Sequence, residues 1–293
     1  MYKFLRKCYM WMYKAGVFNC VPDKVFVPFF YRVSTGKKLN MRNPKTFNEK
    51  IQWLKVNDHN PIYTILVDKY NVREYVKNVV GEKYLIPLIG HWEKIEDIDF
   101  DILPNQFVLK CNHDSGGIII CNDKRNLDIV SAKKRLNNCM KLNHYYLSRE
   151  WAYKDVKPQI IAEKYMIDDK LQELMDYKFF CFDGEPKIIQ VDFDRFTNHK
   201  RNLYTLEWRL LDMTIKYPNN PYKNIQQPEK LNEMIEIARK LSCGLPEVRV
   251  DLYYVNGEIY FGEMTLYHGG GIEKFGSDKQ AEEMGSWINI NKI

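Results

Sequence analysis

The chain has 293 residues, 45% hydrophobic and 14% aromatic, enough for a sizeable core and for more than one subdomain. No apolar run reaches the roughly eighteen residues of a membrane-spanning helix. The seven cysteines are scattered, odd in number and without a C-x-x-C, which argues for free thiols in a reducing cytoplasm and against a zinc site.

The N-terminal stretch "MYKFLRKCYMWMYKAGVF" lacks both a clean apolar core and a small-residue cleavage site, so no signal peptide is expected. The net charge of +6 is unevenly spread, because residues 1–55 hold 12 Lys/Arg against 2 Asp/Glu. Such a head is either a solvated surface or attracted to an anionic partner, a membrane face or an acidic polymer. Tyr2, Phe4, Tyr9, Trp11 and Tyr13 between the charges suit an interfacial segment. Nucleic acid is not expected as a partner.

Residues 1–43 read as a basic, aromatic, partly helical N-terminal extension. Residues 44–105 read as a helical and α/β subdomain, which opens on "TFNEKIQWLKV", where Thr46 and Glu49 form a capping box. "VDKYNVREYVKNVVG" predicts a second helix stopped by Gly81, with Asp68 near its start and Lys69 in its first turn. A lysine and glycine-flap subdomain is expected over 106–166, with strands at "QFVLKCN", "GGIIICN" and "PQIIAEKYM" and a helix at Ser131–Leu142. A C-terminal metal-binding subdomain over 167–293 holds two hairpins. Between these, Pro228 opens a helix ending near Leu241. The expected fold class is α+β, with antiparallel sheets and flanking helices.

Four separated segments place charged residues in apolar strands. In "FVLKCNHDSGGIIICN", Lys110 ends a strand before a loop whose Ser115, Gly116 and Gly117 let backbone N–H groups approach a phosphate. An ordinary glycine hairpin would read the same, and the G-K-[ST] of a P-loop is missing. In "IIAEKYMI", Glu163, Lys164 and Tyr165 either offer a carboxylate and backbone groups to a nucleoside or mark a strand reaching the surface. In "DYKFFCFDGEPKIIQVDFDRF", Lys178 sits among aromatics and needs an anionic partner. There, Asp192 and Asp194 form a D-x-D of the kind that holds a metal-bound nucleotide sugar in many glycosyltransferases.

The fourth segment is "RVDLYYVNGEIYFGEMTLYHGGG", residues 249 to 271, where the parity of the turn decides the chemistry. A strict two-residue Asn256-Gly257 loop puts Asp251 and Glu263 on opposite faces. A three-residue or bulged hairpin brings them to one face, and in the three-residue case Arg249 lies across from Glu263. Facing carboxylates repel unless a cation sits between them, and hard oxygen donors favour Mg²⁺. A structural Arg249–Glu263 pair is the alternative.

Together, "FNEKIQWLK", "DKYNVREYV", "VLKCNHDSGG", "DYKFFCFDGEPK" and "VRVDLYYVNGEIYFGEMT" resemble the TupA-like ATP-grasp family of bacterial teichuronopeptide and capsular polysaccharide loci, over roughly residues 40–285. The resemblance implies an ATP-grasp fold with ATP and Mg²⁺ as cofactors. It implies phosphate contacts from Lys110, Lys178 and the Gly116-Gly117 flap, an adenine hinge at Glu163–Tyr165, and a nucleotide role for Lys69. It further implies Mg²⁺ ligation by Asp251, Glu263 and Thr265, the last where such enzymes usually carry Asn, with Arg249 on the reacting carboxylate or acyl phosphate. The implied reaction joins a uronic acid carboxylate on a nucleotide- or lipid-linked glycan to an amino acid or small amine. The loop "FDRFTNHKRNLY" either recognises the sugar or its phosphates through Arg195, His199 and Arg201 or is only a charged loop, and His268, Gly269 and Gly270 are further candidate substrate contacts. Two rival readings remain at this point. One is a glycosyltransferase using Asp192 and Asp194; the other is a non-catalytic scaffold at the inner membrane face.

Overall fold

The computed structural model describes residues 2–114, 116–170, 174–194 and 197–292, with side chains from residue 8 onward. In chain order the helices of the first half are α1 (Tyr2–Lys14), α2 (Asp23–Thr35), α3 (Phe47–Asn57), α4 (Ile62–Val67) and α5 (Val72–Val79). Then come β1 (Leu88–Trp92), β2 (Phe107–Cys111), β3 (Ile118–Cys121), α6 (Ile129–Met140), α7 (Tyr145–Ser148) and β4 (Ile160–Lys164). The remainder forms β5 (Asp176–Phe182), β6 (Glu185–Phe193), β7 (Lys200–Tyr204), α8 (Leu231–Ser242), β8 (Glu247–Val255), β9 (Glu258–Thr265) and α9 (Asp278–Ser286). No described helix is long and apolar enough to cross a membrane.

The chain divides into two compact units, one of residues 1–39, 55–70 and 88–165, the other of residues 40–54, 71–87 and 166–293. The first contains a four-stranded sheet in the order β1-β4-β2-β3, antiparallel at every pairing. Phe107, Leu109, Cys111, Ile160 and Ala162 share one face of it and bury themselves with Leu136 of α6. Strand alternation therefore sends Lys110 and Glu163 to the other face.

The second unit contains a five-stranded antiparallel sheet in the order β7-β6-β5-β8-β9. Phe179, Cys181, Val248, Val250 and Leu252 are fully buried on one face, where the Cys181 thiol lies 3.9 Å from the Ala238 carbonyl of α8. Each such side chain contributes about 1.5–3 kcal/mol by leaving water. Register then sets Asp176, Lys178, Gln190, Asp192, Arg249, Asp251, Glu263 and Thr265 on the opposite face.

The capping box at α3 forms as expected: the Thr46 N–H donates to Glu49 Oε2 at 3.1 Å and the Glu49 N–H to Thr46 Oγ1 at 3.3 Å. The helix expected over "VDKYNVREYVKNVVG" is shorter than its pattern, because α4 ends at Val67 and α5 begins only at Val72. Asp68 instead caps a turn, accepting from the Tyr70 N–H at 2.8 Å, and Lys69 lies in that turn and not in a helix. Gly81, at φ 113°, stops α5 as expected. The stretch "KRNLY" is also a strand, β7, where the sequence reads as loop.

Candidate active site

In the small sheet, Lys110 and Glu163 sit diagonally across β2 and β4, and Lys110 Nζ meets Glu163 Oε2 at 2.6 Å. Beyond them, at the end of β4, Lys164 is exposed and Tyr165 half-buried. The glycine loop between β2 and β3 is latched from three sides. Lys69 Nζ donates to the Asp114 carbonyl at 2.6 Å, Arg135 Nη2 donates to the Gly116 carbonyl at 2.8 Å, and Asp114 accepts from the Gly117 N–H at 3.0 Å. The amide that the sequence offers to a phosphate is therefore held by a carboxylate of its own loop. Gly117 is required for closeness, since a Cβ there would lie 2.9 Å from the Cys111 sulfur. Ser115 and Arg195 lie outside the described residues.

In the large sheet the hairpin resolves the parity question by an unexpected route. The turn is a strict two-residue loop, Val255 opposite Glu258, with Asn256 at φ 51° and Gly257 at φ 80°. Such a turn alone would send Asp251 and Glu263 to opposite faces. A bulge between Asp251 and Leu252 inserts Gly262 and restores the parity, so that Asp251 lies directly across from Glu263 and Arg249 across from Thr265. Of the two expected hairpins the bulged one forms, and the three-residue alternative, with Arg249 opposite Glu263, does not. Gly262 suits the bulge because a Cβ would meet the Asp251 carbonyl oxygen and the Tyr253 ring at 3.0 Å.

Arg249 forms the centre of this face. Its Nε reaches Asp251 Oδ1 at 2.6 Å, while its Nη2 reaches Asp251 Oδ2 at 2.7 Å, Thr265 Oγ1 at 3.0 Å and Glu263 Oε1 at 3.2 Å. The three oxygens expected to bind Mg²⁺ thus converge on one cationic nitrogen. Lys178 Nζ adds a contact with Asp251 Oδ2 at 2.7 Å and a second with Asp176. Lys178 therefore lies buried between acids and not at an open edge. Burial opposes its charge, but Asp176 and Asp251 outweigh that and hold the ammonium's pKa above its usual value. Three carboxylates against two cations leave the cluster with one net negative charge, and Glu263 is its most open member.

This set fits Mg²⁺ in donor chemistry: hard oxygens, already gathered on a cation, with a residual negative charge. Among the described residues no group of three or more His, Cys, Asp or Glu is arranged as a metal cage.

The face continues as a relay that sequence reasoning found only in part. Arg249 Nη1 donates to His268 Nδ1 at 2.7 Å, so the ring proton sits on Nε2, which faces Glu273 Oε2 at 3.2 Å. Burial lowers the His268 pKa to about 4, which keeps the ring neutral and able to accept from Arg249. Glu273 also binds Arg201 at 3.2 Å and Lys216 at 2.8 Å. Gly269, Gly270 and Gly271 turn the chain with φ of 58°, 61° and 63°, a path open to glycine that aims His268 inward. A Cβ at Gly269 would meet Glu273 at 2.3 Å. These glycines shape the relay.

Asp192 accepts from Arg201 Nε at 2.8 Å, His199 Nε2 at 2.9 Å and Gln190 Nε2 at 2.6 Å. Asp194, in contrast, leaves the strand at φ 52° and is exposed, with Lys223 Nζ at 3.8 Å. The two aspartates of the D-x-D do not form a matched pair. His199 and Arg201 hold Asp192 and so do not form a free charged loop. Asp176, Gln190 and Glu273 were missed in the sequence. Asp176 carried a signal, the two-residue spacing that puts it beside Lys178 on one strand face, whereas Glu273 carried none.

The family model described as TupA-like ATPgrasp matches residues 49–289. No curated protein matches significantly. Among solved structures, the D-alanine–D-alanine ligase from Bacillus anthracis complexed with ATP is 19% identical, with 73% of this chain and 55% of that one covered and a TM-score of 0.40. N5-carboxyaminoimidazole synthetase from Staphylococcus aureus is 17% identical, with coverage of 69% and 44% and a TM-score of 0.39. The D-alanine–D-alanine ligase from Helicobacter pylori is 15% identical, with coverage of 77% and 62% and a TM-score of 0.42. The chain thus spans between 44% and 62% of the length of these structures. With the family model matching most of its length, this chain belongs to the TupA-like ATP-grasp family.

Proposed function

We propose that this chain is an ATP- and Mg²⁺-dependent ligase that joins a glycan uronic acid carboxylate to an amino acid or small amine. The observation that carries the reading is the convergence of Asp251 Oδ2, Glu263 Oε1 and Thr265 Oγ1 on Arg249 Nη2, beside Lys178, in an ATP-grasp chain. The substrate carboxylate attacks the γ-phosphorus of ATP, the bond to the β–γ bridging oxygen breaks, and ADP and an acyl phosphate result. The amine then attacks the acyl carbon, and phosphate leaves with formation of the amide. No protein nucleophile is needed, because the barrier falls through positioning and charge neutralisation.

In this reading Asp251, Glu263 and Thr265 hold Mg²⁺, which neutralises phosphate charge as a Lewis acid. Lys110, Lys178 and Lys69 act on the nucleotide phosphates with the loop residues Ser115, Gly116 and Gly117, and Glu163, Lys164 and Tyr165 act on the adenosine. Arg249, held by neutral His268, stabilises the reacting carboxylate or acyl phosphate. His199, Arg201, Gly269 and Gly270 support the substrate side through the Asp192 and Glu273 network. Free thiols at all seven cysteines accord with a cytoplasmic location.

The test is ADP release that requires Mg²⁺, a uronic acid and an amine together. It is expected to fall by at least about a hundredfold in Asp251→Asn and in Glu263→Gln. Unchanged turnover in both variants would sink the proposal. The buried, fully engaged carboxylate of Asp192 speaks against the glycosyltransferase reading.

A further inference from the structure

The head of the chain has an outer face that neither ATP use nor amide formation explains. Helix α2 buries Phe26, Val27, Phe30 and Tyr31 on its inner side. On its outer side Val25, Phe29 and Val33 are 62%, 54% and 49% exposed. Their spacing of four residues stacks them in one stripe along the helix. Single exposed apolar residues are ordinary on a protein surface, but a continuous apolar stripe on a helix already apolar inside is not.

The orientation of that stripe is fixed by a buried arginine. Arg149, left-handed at φ 59°, donates through Nη2 to the carbonyls of Phe18 at 2.5 Å and Val21 at 2.9 Å, and its Nε meets Asp23 Oδ1 at 3.0 Å. Its guanidinium lies 4.5 Å from the Phe26 ring centre and 4.9 Å from that of Tyr145. Lys55 Nζ, buried 5.6 Å from the Phe30 ring centre, donates to the Ser148 carbonyl at 3.0 Å. The α1–α2 connection and the inner side of α2 are therefore tied to the α7 region, and the helix cannot roll to hide Val25, Phe29 and Val33.

Charge says what covers the stripe. Lys24 and Arg32 on α2 and Lys37 and Lys38 just beyond it are all exposed. Over residues 22–38 the only acid is Asp23, and it is spent on Arg149 and on the Tyr145 hydroxyl at 2.6 Å. An apolar stripe with a basic fringe and no exposed acid complements a surface with an apolar interior and an anionic skin. We propose that the outer face of α2 docks on an anionic lipid surface, with Val25, Phe29 and Val33 in the headgroup–acyl boundary and Lys24, Arg32, Lys37 and Lys38 on the headgroup phosphates.

The experiment is co-sedimentation of the full chain with vesicles of phosphatidylcholine alone and with about 30% phosphatidylglycerol added. Binding is expected only to the anionic vesicles, about fivefold weaker for each of Lys24, Arg32, Lys37 and Lys38 changed to Gln, and weaker still at roughly 0.5 M salt. Phe29→Ser with Val33→Ser should abolish it while leaving the thermal unfolding midpoint in place, since both side chains are exposed. No binding to either vesicle, or binding untouched by that double variant, overturns the proposal. So does a wild-type dimer in solution that the double variant dissociates, which would assign the stripe to a second copy. Nucleotide enters none of these measurements. A failed lipid result therefore leaves the ligase reading standing, and a failed ligase assay leaves the lipid result standing.

Discussion

Both sheets present a lysine to a carboxylate, half-buried Lys110 in one and buried Lys178 in the other, but the two lysines live in different company. Lys110 has one ion-pair partner among the described residues, Glu163 at 2.6 Å, on the face of the small sheet turned away from its core. Lys178 sits in a mesh that runs through Asp176, Asp251, Arg249, Glu263, Thr265 and His268 to Glu273. Lys110 can be freed by breaking that one ion pair. The mesh has to be moved as a whole, because removing one charge strands the others in low dielectric. The small sheet thus carries a local ion pair and the large one a coupled network.

That contrast breaks most visibly at Asp251. Asp251→Ala leaves Arg249 and Lys178 buried without their shared carboxylate, and a loss of about 3–5 kcal/mol is expected in urea unfolding. A loss below about 1 kcal/mol would mean that the mesh is loose. Glu247, fully buried two residues before Arg249, sharpens the same contrast through pH. Burial lifts its carboxyl to about 8, against the pull of the Tyr267 N–H and Arg249. Its folded value lies above the unfolded one of 4.5, so its ionisation takes nothing from stability below pH 4.5 and erodes stability as pH rises from there through about 8. Glu247→Gln should match wild type in acid and exceed it by a few kcal/mol at pH 9, read as a pH series of unfolding midpoints.

Smaller effects separate pair from mesh directly. A double-mutant cycle of Lys110→Met with Glu163→Gln should return a coupling of about 0.5–3 kcal/mol that belongs to those two residues. The matching cycle of Lys178→Met with Asp251→Asn should change when repeated in a Glu263→Gln background. An unchanged value there would reduce the mesh to independent pairs. Gly262→Ala, which presses a methyl against the Asp251 carbonyl, should cost about 1–3 kcal/mol, and it should weaken the thermal shift given by MgADP more than Gly257→Ala does. At the bottom of the scale, Asp194→Asn on an exposed turn should stay within about 0.5 kcal/mol of wild type.

Most of this architecture could be read from the residues, and what could not be read has a common cause. The capping box at Thr46 and Glu49 and the two-residue spacings Arg249-x-Asp251 and Glu263-x-Thr265 are local signals, and they sit where local rules put them. Strand β7 was hidden because Arg201 and Asn202 look like loop residues. They are buried with Asp192 and Glu273 taking one and the Asn220 carbonyl taking the other, and of these Glu273 is 72 residues away in sequence. The latch on the glycine loop was hidden likewise, since nothing near Gly116 announces that Lys69 and Arg135 will reach it. The bulge at Gly262 was legible as an option but not as the choice. A glycine inside a strand permits an extra residue without requiring one.

That bulge has a consequence for how the hairpin tolerates change. Which side chains share a face depends only on whether the count of inserted residues, at the tip and along the strand together, is odd or even. The tip can therefore gain a residue if the bulge is ironed out, and Arg249, Asp251, Glu263 and Thr265 would still share a face, with Asp251 shifted from directly opposite Glu263 to diagonal. With the number of residues unchanged, a change at only one of the two places inverts the entire outer strand. At this chain length, straightening the bulge at Gly262 and widening the turn to three residues are thus expected to travel together, while a hairpin one residue shorter, without Gly262, is expected to keep Asp251 opposite Glu263 with no bulge at all.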